Sequence, residues 1–308
     1  MAELDLCTPD DIPSEFLAYD EKINTLRVGT PGKTGILRVI LEKDQTKNKT
    51  VLTDQYSKVP LYTQRVLHYD VANPDMAYLF IMSPSGGLLQ GDRHRMDITL
   101  KNGAVANLTT QGATRIYKMD SNYATQIINI NVDADCYLEF IPDQIIPYKN
   151  SRYYQKVNIT ADDSASVVYS EVVTPGRVAM GELFDYDICY LKTVGKDHNN
   201  KIKFIDTSLL NPKEQTFSHL GILDKYTTFG TVYILAKKDH LHEIQEKINN
   251  IFENSEISGG CSILPDNSGL VVRVLGSYFD DIKTTIYEII RIVRKQILNS
   301  SFEGIRKT

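Results

Sequence analysis

The sequence of 308 residues has no tryptophan, only four cysteines and no long apolar run. The cysteines Cys7, Cys136, Cys189 and Cys261 lie far apart, which excludes the paired spacing of zinc ribbons, CxxC redox motifs and disulfide frameworks. We therefore expect free thiols in a reducing compartment. No stretch reaches the roughly 18 apolar residues that a membrane-spanning helix needs, so no membrane association is predicted.

The chain also lacks an excess of positive charge. Its 34 lysines and arginines are outnumbered by 39 aspartates and glutamates, which gives a formal net charge of −5. Such a chain has no general attraction for nucleic acids or anionic lipids. The first 16 residues, MAELDLCTPDDIPSEF, are acidic and lack the apolar core of a signal peptide. These features predict a cytoplasmic protein without nucleic-acid or membrane partners.

The first three quarters of the chain predict β structure. Short runs rich in Ile, Val, Tyr, Phe and Thr alternate with Gly, Asn, Asp and Pro. Towards the C-terminus, apolar residues recur with a helical period in 239–254 and in 282–297. We expect a β-rich body of stacked strands over 1–236, and a small α+β portion with two helices over 237–308, packed on that body.

A weak internal repeat indicates how the β body is built. Three segments that begin at Ile98, Ile130 and Ile159 align without gaps. Each has a strand end, a polar turn, a small residue and a second strand. Repeated units of this kind usually stack on one another, as in a β-solenoid or a layered sheet, so the sequence predicts a mainly β, β-helix-like fold. The alternative is that these β-hairpins resemble each other by chance.

Stacking would bring carboxylates from distant parts of the sequence together. Thr110, Asp143 and Glu171 follow the apolar cores of the second strands, and Glu139 lies on one of those strands. The acidic side chains could therefore line one channel or crevice. An ordinary solvated rim of the sheet is the alternative, and spacing alone favours it.

The densest motif is SPSGGLLQGDRHR, which covers residues 83–95. Gly86, Gly87 and Gly91 allow tight turns or a close approach of another segment. Asp92 follows, where the loop re-enters a strand, and two interpretations stay open. It either accepts hydrogen bonds from backbone amides in a long turn or belongs to a functional site. The motif is not GxSxG, because two glycines follow Ser85 directly.

Neither a nucleotide loop nor a histidine metal site is predicted. Residues 29–35, GTPGKTG, have Arg27 where a Walker A motif needs its first glycine, and 36–41 predict a strand, so we expect a turn here. The six histidines show no metal-binding spacing. A metal in transit would use carboxylate and hydroxyl oxygens, which hold Ni²⁺ or Zn²⁺ more weakly than thiolates or imidazoles do.

The segment GRVAMGE over residues 176–182 places Arg177 and Glu182 five positions apart around a glycine. Two interpretations remain equally open. The pair either forms an ion pair that anchors a turn or contacts another protein.

Four segments resemble the UreD family of urease accessory proteins, called UreH in some bacteria. In the family's order they are SGGLLQGD (85–92), LTTQGATRIYK (108–118), LEFIPDQIIPY (138–148) and GRVAMGE (176–182). The similarity runs from about Gly35 to Phe184 and weakly beyond. Gln90 stands where the family usually has glycine, while Asp92 stays in register.

The resemblance implies an accessory protein that is not an enzyme. UreD-type proteins act with a UreF-type helical protein and a UreG-type GTPase on apo-urease, and this complex installs the nickel centre in a GTP-dependent process. The implied fold is a β-helix-like stack of strands with a tunnel for nickel. The implied metal is nickel in transit, with no tightly bound cofactor.

The resemblance also implies a nickel path through matched positions. Asp92, Thr114 and Glu171 match positions implicated in the path, with Asp92 and Glu171 as weak, transient metal ligands. Glu139 and Asp143 are added to the path from the repeat alignment alone.

Two other classes of function stay open at this point. A β-solenoid polysaccharide hydrolase would need paired catalytic carboxylates, for which Asp143 and Glu171 are candidates. A pure protein-binding scaffold would use the same carboxylates only to stabilise turns.

Overall fold

The computed structural model describes residues 3–20, 32–253, 255 and 257–307. Four α-helices and seventeen β-strands follow one another in the described residues. In chain order they are α1 (Glu3–Cys7), α2 (Ser14–Leu17), β1 (Thr34–Asp44), β2 (Lys49–Lys58), β3 (Tyr62–Thr63), β4 (Ala77–Met82), β5 (Arg93–Lys101), β6 (Val105–Thr110), β7 (Thr114–Ile116), β8 (Ala124–Val132), β9 (Tyr137–Phe140), β10 (Ile145–Pro147), β11 (Arg152–Ala161), β12 (Ser166–Val173), β13 (Ile188–Lys196), β14 (Ile202–Leu210), β15 (Thr228–Leu235), α3 (Lys238–Glu253), β16 (Ser258–Ile263), β17 (Leu270–Gly276) and α4 (Phe279–Ile297).

Two large sheets form the body. The first has the strand order β14-β13-β11-β8-β5-β1-β2, and its five central strands run parallel. The second has the order β16-β17-β15-β12-β9-β6-β4-β3, with β4, β6, β9 and β12 parallel. The short strands β7 and β10 pair with each other, and β10 also pairs with β12. Apart from these two, the strands from β4 to β13 alternate between the sheets, which confirms the predicted mainly β, stacked-strand fold.

The internal repeat is confirmed by the strand register. Ile98 pairs with Ile130, and Ile130 pairs with Ile159, as the gapless alignment requires. In the second sheet Tyr137 pairs with Val105 on one side and Ser166 on the other. The three aligned segments are therefore neighbouring coils of one stack.

The alternation of side chains along each strand separates two apolar cores. In β5, Met96, Ile98 and Leu100 point between the two sheets, where they join the first core. A second core lies between the other face of the second sheet and the helices α3 and α4. The side chains of Ile289 and Ile290 from α4 are fully buried there. The central strands of the second sheet, such as β12 and β15, therefore have one face towards each core.

The C-terminal part contains the two helices that the sequence predicts. The strands β15, β17 and β16 continue the second sheet in antiparallel fashion. Helix α4 is tied to the body by the fully buried Arg294, whose guanidinium binds Glu139 at 2.6 and 2.7 Å and Asp70 at 2.6 Å. Residues 237–308 therefore contact the body through both the sheet and an ion pair.

The described N-terminal residues pack on the outer face of the first sheet. Phe16 is buried against Tyr123 and Tyr154. Asp11 binds Lys156 and Lys192 at 2.8 and 2.6 Å. Within the ranges that the structure covers, no helix is long and apolar enough to cross a membrane.

The predicted turn at 29–35 is only partly visible, because residues 29–31 lie outside the described part of the chain. The strand predicted at 36–41 is confirmed as part of β1. All four cysteines are buried.

Candidate functional site

The loop between β4 and β5 is held by the carboxylate of Asp92. Asp92 is buried, and its Oδ1 and Oδ2 accept hydrogen bonds from the backbone amides of Lys33 at 2.8 Å and Leu89 at 2.9 Å. Burial raises the pKa of the Asp92 carboxyl, although these amides act in the opposite direction. In the described structure, Asp92 therefore acts as the anchor of the loop.

The glycines of this loop allow it to lie against β7. Gly86 and Gly91 have positive φ angles of 81° and 74°, which side chains disfavour. A Cβ atom on Gly87 would lie 2.5 Å from the carbonyl oxygen of Arg115. The three glycines thus have structural roles that fix the loop beside residues 114–117.

Between this loop and the sheets lies an outer cavity of about 290 Å³. Its walls include Gly86 and Gly87 from the loop and Thr114 from β7. His94 and Gln126, from adjacent strands of the first sheet, also line it. The motif at 83–95 therefore forms one wall of a cavity, although Asp92 itself lies behind that wall.

An inner cavity of about 10 Å³ lies deeper between the two sheets. Thr114, Asp143 and Glu171 all line it, with Gln126 and Gln155 from the first sheet. The two cavities share four wall residues, namely Met96, Thr110, Thr114 and Gln126. The structure thus brings together three of the five residues predicted for the nickel path.

Glu171 is the carboxyl group at the deepest point of this region. Its Oε2 accepts hydrogen bonds from Gln155 Nε2 and from the Tyr169 hydroxyl, both at 3.1 Å. Burial raises the pKa of Glu171 to about 7, against the opposing effects of Tyr169 and of the positive charge of Arg273. The group can therefore gain or lose a proton near neutral pH.

Asp143 lies at the other side of the inner cavity. Its Oδ1 forms an ion pair with Lys307 Nζ at 2.6 Å, and Lys307 also donates to the carbonyl oxygen of Thr110 at 2.8 Å. Burial lowers the pKa of Lys307, while the nearby Asp143 acts in the opposite direction. The carboxylate of Asp143 is thus already paired with the ammonium group of Lys307.

Glu139 faces away from both cavities. It lies on β9, one residue from the inward-facing Leu138 and Phe140, so its side chain points towards the helices. There it binds Arg294, Tyr137 at 2.7 Å and Asn107 at 2.6 Å. The structure does not bring Glu139 together with Thr114, because consecutive strand residues face opposite sides.

The pair at 177–182 is an intramolecular ion pair. Arg177 Nε donates to Glu182 Oε2 at 2.9 Å, and the same oxygen accepts a hydrogen bond from the Lys149 amide at 3.2 Å. Between the two residues, Val178 and Met180 are 54% and 70% exposed. The ion pair therefore holds a loop that presents apolar side chains to solvent.

Three polar residues of the interior were not predicted. Across the first sheet, His94 pairs with Gln126, and Gln126 pairs with Gln155. The signal is present in the repeat, because the aligned strands read HRMDI, QIINI and QKVNI from these three positions. A polar residue at the same position of three aligned strands thus indicates a polar row in the interior.

The arrangement can guide a cation better than it can store one. No cluster of three or more His, Cys, Asp or Glu side chains suited to a metal occurs within the described residues. The polar groups that line the inner cavity are carboxylates, hydroxyls and amides, whose oxygens bind Ni²⁺ weakly, while the outer cavity adds the imidazole of His94. Weak, successive oxygen ligands suit a path along which an ion moves.

Comparisons with known proteins agree on one family. The family model described as "UreD urease accessory protein" matches residues 33–306. "Urease accessory protein UreD" of Cenarchaeum symbiosum (strain A) is 42% identical over 283 residues, which cover 92% of this chain and 99% of that protein. "Urease accessory protein UreD 2" of Brucella canis is 34% identical over 290 residues, covering 93% and 95%. The Yersinia pseudotuberculosis "Urease accessory protein UreD" is 32% identical over 287 residues, covering 92% and 89%. The chain belongs to the UreD family of urease accessory proteins.

Proposed function

We propose that this protein conducts nickel through its β body during the maturation of urease, without catalysing a reaction. The observation that carries this proposal is that Thr114, Asp143 and Glu171 line one inner cavity between the sheets. These residues are up to 57 positions apart in the sequence. In this proposal nickel is the cargo, and no cofactor is tightly bound.

The path would begin at the outer cavity and end near Glu171. The outer cavity adjoins the inner one along four shared wall residues. Glu171 supplies a carboxylate when it loses its proton, and Thr114 supplies a hydroxyl oxygen on the way. The proposed role of Asp92 is to position the loop wall, because both of its oxygens are engaged by backbone amides.

The partners in this proposal are apo-urease, a UreF-type helical protein and a UreG-type GTPase, in the cytoplasm. The loop at 178–183 is the candidate contact surface, since Met180 and Leu183 are 70% and 50% exposed beside a fixed ion pair. Met180→Lys is expected to weaken assembly in a pull-down from co-expressing cells. The matched control Val71→Lys, at a residue that is 95% exposed elsewhere, should assemble normally. Equal recovery of both variants would remove this surface from the proposal.

Two sequence-based alternatives differ from this proposal in measurable ways. A polysaccharide hydrolase gains no support from the relatives, which are named as urease accessory proteins. A scaffold without a metal role predicts that removing the interior carboxylate leaves nickel delivery unchanged.

The test is urease activation in cells with limiting nickel that express all the accessory proteins. Glu171→Gln keeps the size of the side chain and removes its negative charge. We expect it to lower activation more than it lowers recovery of the assembled complex. Glu243→Gln, at an exposed carboxylate of α3, is the control and should behave as the unchanged protein. Full activation by Glu171→Gln at limiting nickel would overturn the conduit.

A further inference from the structure

A hydrogen-bonded polar row crosses the otherwise apolar interior. Gln126 Nε2 donates to Gln155 Oε1 at 3.3 Å, and Gln155 Nε2 donates to Glu171 at 3.1 Å. The next inward row of the same strands consists of Met96, Ile128 and Val157, and it belongs to the apolar core. Burying polar groups is unfavourable unless they are hydrogen-bonded, so this row requires a particular arrangement of partners.

The row begins at a histidine that has an unused polar atom. His94 is 1% exposed, and its Nε2 has no hydrogen-bond partner within the described residues. The imidazole of His94 also lines the outer cavity, so the row begins at the wall of that cavity.

The two cavities differ sharply in the amount of water that they can hold. A cavity of roughly 10–15 Å³ holds one water, so the six waters around a divalent ion need about 60–90 Å³ on the same measure. The outer cavity of about 290 Å³ exceeds this volume. The inner cavity of about 10 Å³ has room for about one water. An ion that moves inward must exchange most of its hydration shell for protein atoms.

We propose that Gln126 and Gln155 form a dehydration gate, at which Ni²⁺ exchanges water for side-chain amide oxygens before it reaches Glu171. This inference rests on the conduit proposed above and names the residues that control entry into it. Gln126 is placed for this role because it lines both cavities, while Gln155 lines the inner one and contacts Glu171 directly.

The amide groups are suited to such an exchange. In this structure Gln126 Nε2 donates a hydrogen bond to Gln155, and Gln126 Oε1 takes no part in that hydrogen bond. Gln155 Oε1 accepts hydrogen bonds from Gln126 and from the Tyr153 hydroxyl at 3.0 Å. An entering ion breaks hydrogen bonds and forms Ni–O contacts, and no covalent bond is made or lost. Oxygen ligands hold Ni²⁺ weakly enough to let the ion leave again.

Two substitutions at one position distinguish an oxygen ligand from a structural hydrogen bond. Gln126→Leu removes the amide, whereas Gln126→Glu keeps oxygen ligands but cannot donate to Gln155 when ionised. Both are measured by urease activation against nickel concentration in cells that contain the complete accessory complex. Recovery of the complex by pull-down reports on folding and assembly. Gln245→Leu is the matched control. It removes a partly buried hydrogen bond of 3.2 Å, which Gln245 Nε2 of helix α3 donates to the carbonyl oxygen of Cys261.

We expect Gln126→Leu to need about tenfold more nickel for half-maximal activation, which is the scale of losses at supporting metal-site groups. For Gln126→Glu and Gln245→Leu, the nickel concentration at half-maximal activation should stay within about twofold of that of the unchanged protein, well below the tenfold loss expected for Gln126→Leu. The gate is overturned if Gln126→Leu needs no more nickel for half-maximal activation than Gln245→Leu does. It is also overturned if Gln126→Glu needs as much nickel as Gln126→Leu. Should Gln126→Leu fail to assemble, Gln126→Glu decides, with retained delivery supporting the gate and lost delivery overturning it.

A parallel Glu171→Gln strain separates the two proposals. Reduced delivery by Glu171→Gln with normal delivery by Gln126→Leu overturns the gate and leaves the conduit standing. Full delivery by Glu171→Gln overturns the conduit, and the gate with it.

Discussion

Replacing Glu171 with glutamine is expected to change how stability depends on pH. Burial raises the pKa of Glu171 from 4.5 to about 7, so the folded protein retains a proton that the unfolded chain releases. The contribution of this group to the free energy of unfolding is therefore fully present below about pH 4.5. It decreases as the pH rises and is lost above about pH 7. At 1.36 kcal/mol for each pH unit, the total change is about 3 kcal/mol.

Glu171→Gln removes this dependence because the amide does not titrate. Both hydrogen bonds to Glu171 end on one oxygen, so the amide oxygen of glutamine can accept them. Relative to the unchanged protein, the variant should gain about 3 kcal/mol in unfolding free energy between pH 4.5 and pH 8. Denaturant unfolding at several pH values measures this difference. The control Glu243→Gln, at an exposed residue whose pKa is lowered by Lys247, should show no such gain. If the unfolding free energies of Glu171→Gln and the unchanged protein varied with pH in the same way, the raised pKa of Glu171 would be disproved.

Three further substitutions test other parts of the structure. Arg294→Met leaves Glu139 buried without its cation and should lower the free energy of unfolding by about 3–5 kcal/mol in denaturant titrations; a loss below about 1 kcal/mol would contradict the buried ion pair. Gly87→Ala should destabilise by about 1–3 kcal/mol, since its Cβ would lie 2.5 Å from a carbonyl oxygen. Gly112→Ala is its control, with nothing within 4 Å, and equal melting temperatures would disprove the close approach. Lys307→Met should strengthen Ni²⁺ binding in calorimetry by roughly fivefold, the scale of a partly exposed ion pair; unchanged binding would show that Asp143 is not used.

The stacked body was predictable because its repeat is local and regular. The gapless alignment of Ile98, Ile130 and Ile159 gives the same pairs that the strands form. The helices were predictable as well, since isoleucines recur on one face of 282–297. By contrast, the packing of Phe16 against Tyr123 joins segments that share no pattern, so no sequence signal indicates it.

The residues of the site were predictable only where the repeat alignment places them at equivalent positions of the strands. Thr110 and Glu171 occupy equivalent repeat positions, and both line the inner cavity. Glu139 was grouped with them although it lies on the opposite face, because strand alternation depends on the exact phase of the pleat. The pairing of Asp143 with Lys307 is a long-range contact between residues 164 positions apart in the chain, which no local motif encodes.

The most direct measurement is the position of nickel in crystals of the complex with its accessory partners, grown in the presence of Ni²⁺. Anomalous scattering at the nickel absorption edge locates the ion independently of any assumed ligand. We expect a peak between the two sheets, next to Gln155 and Glu171, that disappears in the Glu171→Gln protein. Nickel bound to this chain only on its outer surface, with an empty interior, would contradict it.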